Sequence, residues 1–237
     1  MHEKSNGHLQ NPNKYQTEQS ALTLTYGAIA MVPVIGAFIQ AALKVAYPGP
    51  QAIADRKWME EVVQSLNNLK KQGNLDVQTL IGDVRFDRVV RRIAQDVRNE
   101  GEKEKREAYK SLIINYAQGR TFAESEEKRL LGYLERYSAL HLQILTLMEN
   151  PRRQVQNNDF GLPSSIPGML RIAFPKISAY DLETVYTELM DDNLVLKMNY
   201  QTNISSHSTY DSRITDLGSK MLNIIKPSAE EKMSSPD

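Results

Sequence analysis

The chain has 237 residues, of which 41% are hydrophobic and 24% charged, enough to bury one large core or two ordinary ones. Lysine plus arginine and aspartate plus glutamate both number 29, so no net field draws in nucleic acid or an anionic membrane. Cysteine is absent, which excludes disulfides, thiolate metal sites and cysteine nucleophiles and fits a reducing compartment.

Residues 1–20, "MHEKSNGHLQNPNKYQTEQS", carry no apolar periodicity and read as a disordered arm. They are too long and too polar for the n-region of a signal peptide, so the expected location is cytoplasmic, with the inner membrane face as the variant. From Ala21 to Leu43 no residue is charged, a run of 23 residues around "AIAMVPVIGAF". Such a run could span a hydrocarbon core about 30 Å thick, and its small residues would let another helix pack closely. Pro33 removes a donor and biases Val32 away from helix. The favoured reading is therefore an apolar hairpin at residues 21–46, buried in a helical domain. Permanent or triggered membrane contact is the alternative. Ile29, Val32, Pro33, Ile35, Gly36 and Phe38 are its candidate membrane- or partner-contacting residues.

"YPGP" at 47–50 breaks the run, and from Gln51 to Gln72 the pattern is helical. Met59, Val62, Leu66 and Leu69 recur at helical spacing, Trp58 and Val63 widen the stripe, and Gly73 is placed to stop the helix. A second helix is expected after Asp76, with Phe86, Val90, Ile93 and Val97 as its stripe. A third carries Tyr109, Leu112, Ile113 and Tyr116. In a fourth, "TFAE" reads as a capping box with Thr121 as N-cap, followed by Leu130, Leu131, Leu134, Tyr137 and Leu140.

"ENPRRQVQNNDFGLPSSIPG" (149–168) marks a long loop. Beyond it come a short helix, the helix "YDLETVYTELMDDNLV", a strand candidate "LVLKMNY", a polar tip, and "RITDLG" leading into a closing helix. That order is the grammar of a winged helix. The expected fold is thus mostly α. An N-terminal helical bundle domain (21–138) precedes a winged-helix-like module (139–226) with a short β-hairpin, and residues 227–237 form a disordered tail.

Arg85, Arg88 and Arg92 share one helical face and form a candidate anion-binding patch. Asp83, Asp87 and Asp96 interleave with the arginines of this helix, so a salt-bridged face is the favoured reading. The helix that would enter a DNA groove carries Asp181, Glu183, Glu188, Asp191 and Asp192. No Lys or Arg lies between Ala179 and Leu196, and phosphates would be repelled. No histidine pair has metal-ligand spacing, and His141 reads as a satisfied core residue. Phosphate-loop, dinucleotide and serine-hydrolase motifs are missing, so no enzyme, cofactor or metal is expected.

Two stretches carry a resemblance. "EKREAYKSLIINYAQGRTFAESEEKRLLGYLERYSALHLQILTLMENP" (104–151) pairs a "Y..L" helix with one of the form "L..L…HL.IL", and a later "L…LV…T.LG" half-matches a winged-helix ending. Together with Pro33, Gly36, Arg56 and Trp58 these residues resemble bacterial helical proteins of the abortive infection alpha family. The resemblance implies a non-enzymatic bacterial interaction protein acting in phage defence through an unknown protein partner. Its hydrophobic segment would engage membrane on activation. It supplies no catalytic residue, and residues 149–168 depart from it. Oligomerisation is open. The alternative function is a winged-helix DNA-binding transcription regulator.

Overall fold

The computed structural model describes residues 50–81, 83–98, 100–151, 165–198, 200 and 211–227. The expected N-terminal arm and apolar hairpin, and most of the wing tip, of the C-terminal tail and of the long loop, lie outside them. The chain divides into two compact units, Met1–Arg98 and Asn99–Asp237.

In the first unit, helix α1 (Pro50–Lys71) is followed by a single turn α2 (Val77–Ile81) and by α3 (Val84–Arg98). The expected stripe of α1 is buried as a set: Trp58, Met59, Val62, Val63, Leu66 and Leu69. It packs on α3, whose Phe86, Val89, Val90, Ile93 and Val97 are also buried. Gly73 ends α1 at φ +76°, a left-handed conformation that costs a residue without a Cβ little. Its N–H donates to Lys70 O (3.1 Å) and that of Asn74 to Leu69 O (2.9 Å), which satisfies the last carbonyls. The one helix expected after Asp76 is two. Asp76 accepts from the N–H of Gln78, and Asp83 accepts from those of Arg85 (2.8 Å) and Phe86 (3.0 Å), so each carboxylate starts its own helix.

The second unit contains α4 (Lys103–Ala117), α5 (Glu124–Arg136), α6 (Ala139–Glu149), α7 (Ile166–Ala173), α8 (Ala179–Asp191) and α9 (Asp216–Ile225). The expected boundary near residue 138 is therefore displaced to Arg98. The cause lies in α4, which buries every residue from Ser111 to Ala117, on all sides. A helix enclosed all round belongs at the centre of a unit. It packs against α9 and α6, and the Asn115 side chain donates to Ile224 O (2.7 Å) and Lys226 O (3.1 Å).

The "TFAE" capping box is not formed. Helix α5 begins at Glu124, with Ala123 as its N-cap and no side-chain cap. The next helix, α6, has a local Ser138–His141 box and a distant partner thirty-seven positions upstream of Ala139: Glu102 Oε2 accepts from the Ala139 N–H at 2.8 Å.

The expected β-hairpin is reduced, among the described residues, to one isolated antiparallel bridge between Val195 and Ile214. Leu196 N donates to Arg213 O (2.8 Å) and Thr215 N to Leu194 O (3.0 Å). On its inner side the ladder has no room to grow. Asn193, at φ +59°, terminates α8, and the N–H of Leu194 is taken by Leu189 O. Across the bridge, Thr215 Oγ1 already accepts from Gly218 N to start α9.

Gly218 sits where α9 meets this bridge. A Cβ built on it would lie 2.1 Å from Leu194 O, a backbone atom that cannot swing away. Gly218→Ala should therefore cost about 1–3 kcal/mol or more in urea denaturation, as overpacking does. Gly132, within α5, meets nothing within 4 Å, so Gly132→Ala should stabilise the same unit by roughly 0.5–1 kcal/mol.

Candidate functional site

Of the residues singled out in the sequence, Ile29, Val32, Pro33, Ile35, Gly36 and Phe38 lie outside the described residues. Arg85, Arg88 and Arg92 are on α3, where Arg88 is exposed and the other two are half-buried. Acidic partners run through this helix: Arg91 pairs with Asp87 at 2.8 Å, and Arg92 lies 4.0 Å from Asp96. No group of three or more His, Asp or Glu among the described residues could hold a metal ion, and no described helix is long and apolar enough to cross a membrane.

His141 leads to a polar cluster in the second unit. It occupies the first turn of α6, where its Nδ1 accepts from the Ser138 N–H at 3.1 Å. An amide can only donate, so the ring proton sits on Nε2, 2.6 Å from Glu188 Oε2 on α8. One face of the imidazole stacks on Tyr137, with centroids 4.5 Å apart and planes 5° from parallel, and Tyr137 stacks on Tyr133 at 5.6 Å. The Arg136 guanidinium lies 5.5 Å and 5.4 Å from the centroids of these two tyrosine rings.

Asp192, the C-cap of α8, collects the remaining donors. Its carboxylate accepts from the Tyr137 hydroxyl and from Arg136, and its carbonyl from the Tyr133 hydroxyl at 3.2 Å. Burial, reinforced by the neighbouring carboxylate, pushes the Tyr137 phenol far above its ordinary value. The bond to Asp192 raises Arg136 further above its already high range. Both imidazole nitrogens and the Tyr137 hydroxyl are engaged, so the cluster has no idle base or nucleophile. It is a tie between the α5–α6 junction and the end of α8, in keeping with the expectation of a satisfied histidine.

A groove of about 640 Å³ opens between α4, α6 and α9. Ala108, Leu142, Leu222, Ile225 and Phe174 give it an apolar surface. Lys103, Glu104, Glu107 and Lys226 rim it with both signs of charge; Glu107 pairs with Lys110 at 2.6 Å, and Lys226 with Glu149. Sequence reasoning passed over this groove. Its α4 wall is nevertheless written at helical spacing: Glu104, Glu107, Ala108 and Ser111, small or polar where the rest of that helix is large.

No protein-family model, curated protein or solved structure matches the chain.

Asp192→Ala would strand the buried Tyr137 hydroxyl, and we expect it to lower stability by about 1–3 kcal/mol in chemical denaturation. Buried phenols make the unit sensitive to alkali. Burial raises Tyr186 to about 12, and Tyr137 is raised as well. A phenol near 10 when unfolded and higher when folded adds stability below pH 10 that is lost as pH climbs towards the folded value. Denaturation midpoints should thus fall between pH 10 and 12, and Tyr186→Phe should flatten that fall.

Proposed function

We propose that this chain is a non-enzymatic bacterial interaction protein of the phage-defence type, whose C-terminal unit receives an apolar element of a protein partner. The groove between α4, α6 and α9 carries this reading. It combines an apolar surface with a rim of mixed charge, the anatomy of a protein contact rather than of a catalytic pocket. The satisfied state of the Tyr137–His141–Asp192 cluster supports the same conclusion. The resemblance to the abortive infection alpha family supplies the biological setting. In this reading the uncharged run at 21–43 is the segment that engages membrane on activation.

A winged-helix regulator is the second reading, favoured by the helix order α6, α7, α8 and by the Val195–Ile214 bridge that follows. Charge weighs against it. Asp181, Glu183 and Asp191 are exposed on α8, which has no Lys or Arg with which to meet phosphate.

Two measurements test the proposal. Cells expressing the chain and challenged with a phage panel should show plating reduced about tenfold or more for at least one phage. Ile35→Asp should abolish protection at unchanged protein level, since a charge in a membrane segment is costly. Plating equal to that of empty cells across the panel overturns the defence reading. In mobility-shift assays duplex DNA should bind no tighter than about 1 µM; tighter, steeply salt-dependent binding would favour the regulator.

A further inference from the structure

The groove contains one polar group that its apolar surroundings do not explain. Ser111, on the α4 wall, is 1% exposed, and its Oγ is shut off from solvent with no hydrogen-bond partner. A hydroxyl left in that state is costly unless something supplies the missing bond. Close by are Ala108, one turn earlier on the same face, and Leu142 and Leu222 from α6 and α9. An occupant that parts these side chains must be largely apolar and must still bring a donor or acceptor to Ser111.

From this geometry we propose that the groove binds a short apolar peptide segment of a protein partner, with large aliphatic side chains against Leu142, Phe174 and Leu222 and a backbone amide bonded to Ser111 Oγ. This deepens the interaction reading above and rests on it. An acyl chain fills apolar space equally well but carries no polar group along its length, so Ser111 would stay unsatisfied. A peptide carries one amide per residue. The rim argues the same way. Lys103 and Glu104 are neighbouring exposed residues of opposite sign, with exposed Gln143 also lining the groove, which suits a segment of mixed charge better than a single anionic headgroup. The volume, about 640 Å³, is in the range of sites that enclose ligands of this size.

The test selects displayed random peptides on the full-length chain, then measures the best of them by fluorescence anisotropy. Peptides with paired large aliphatic residues should be enriched. Gln143→Trp, an exposed rim position that can change without disturbing the core, should weaken them about tenfold or more by obstruction. Ser111→Ala should weaken them roughly three- to tenfold while raising the melting temperature of the free protein, because it removes an unpaired hydroxyl. A lower melting temperature for Ser111→Ala would mean that the hydroxyl already bonds within α4, and it overturns the proposal. So does failure to enrich any peptide that Gln143→Trp weakens. Displacement of the peptide by palmitate, with palmitate binding unchanged in Ser111→Ala, assigns the groove to a lipid and overturns it as well. Groove-specific peptides without phage protection leave this assignment standing and remove the defence reading. Protection without such peptides removes this assignment alone.

Discussion

The C-terminal unit depends on one side chain reaching across more than a hundred residues of sequence. Asn115, fully buried on α4, donates to the carbonyls of Ile224 and Lys226 at the end of α9. Helix ends leave carbonyls without partners, and buried ones must be answered. Here the answer comes from another helix, so the end of α9 is fixed to the middle of α4 in one register. Arg120, just past the left-handed Gly119 that terminates α4, holds the other end of the same amide by donating to Asn115 Oδ1 at 3.0 Å. The two walls of the groove are these two helices. Its width therefore follows from where a single amide bonds.

Long-range polar ties of this kind also mark the limit of what the sequence reveals. The stripe of α1 could be read because an amphipathic surface helix repeats its apolar residues, and Trp58 to Leu69 are buried as that repeat requires. Gly73 could be read because a helix end wants a residue that tolerates positive φ. By contrast α4 presents Tyr109, Leu112, Ile113, Ile114 and Tyr116, a pattern too full to say which neighbour lies on which side. Nothing local says that Asn115 reaches Ile224, so the sequence does not show that α4 belongs with α9. Capping failed for a related reason. "TFAE" has the right letters, yet α5 starts without a side-chain cap, while other helices start on Asp76, Asp83, Ser165, Ser178 and Thr215, and the Ala139 N–H goes to the distant Glu102. The aspartate, serine and threonine starts are local and legible; Glu102 is not.

Charge counting along α8 shows the same mixture. Five acidic residues on α8 and its C-cap argue against phosphate binding, but two of them are bonded to side chains of other helices. Glu188 meets His141, and Asp192 gathers Tyr137 and Arg136. Asp181, Glu183, Glu188 and Asp191 are exposed, and Asp192 is half-buried. The sign of the conclusion survives because α8 lacks any cation. Its strength is less than five charges suggest, since the Arg136 cation offsets Asp192.

The groove illustrates why binding surfaces hide inside core patterns. Leu222 and Ile225 line it and are themselves almost fully buried, so they read in sequence as ordinary core positions. What differs is the opposite wall. At Ala108 and Ser111 the helix that is elsewhere packed with tyrosine, leucine and isoleucine turns small. A small residue in a core invites its neighbours to close in, and dense packing is the norm. Neighbours held apart cannot close. With the end of α9 pinned by Asn115, a groove remains over Ala108 and Ser111, which are themselves buried in its lining, and Leu142 on α6 forms its third side. A trough thus needs two things together, a local run of small side chains and a distant bond that keeps the facing helix in place. The sequence displays the first; only the fold supplies the second.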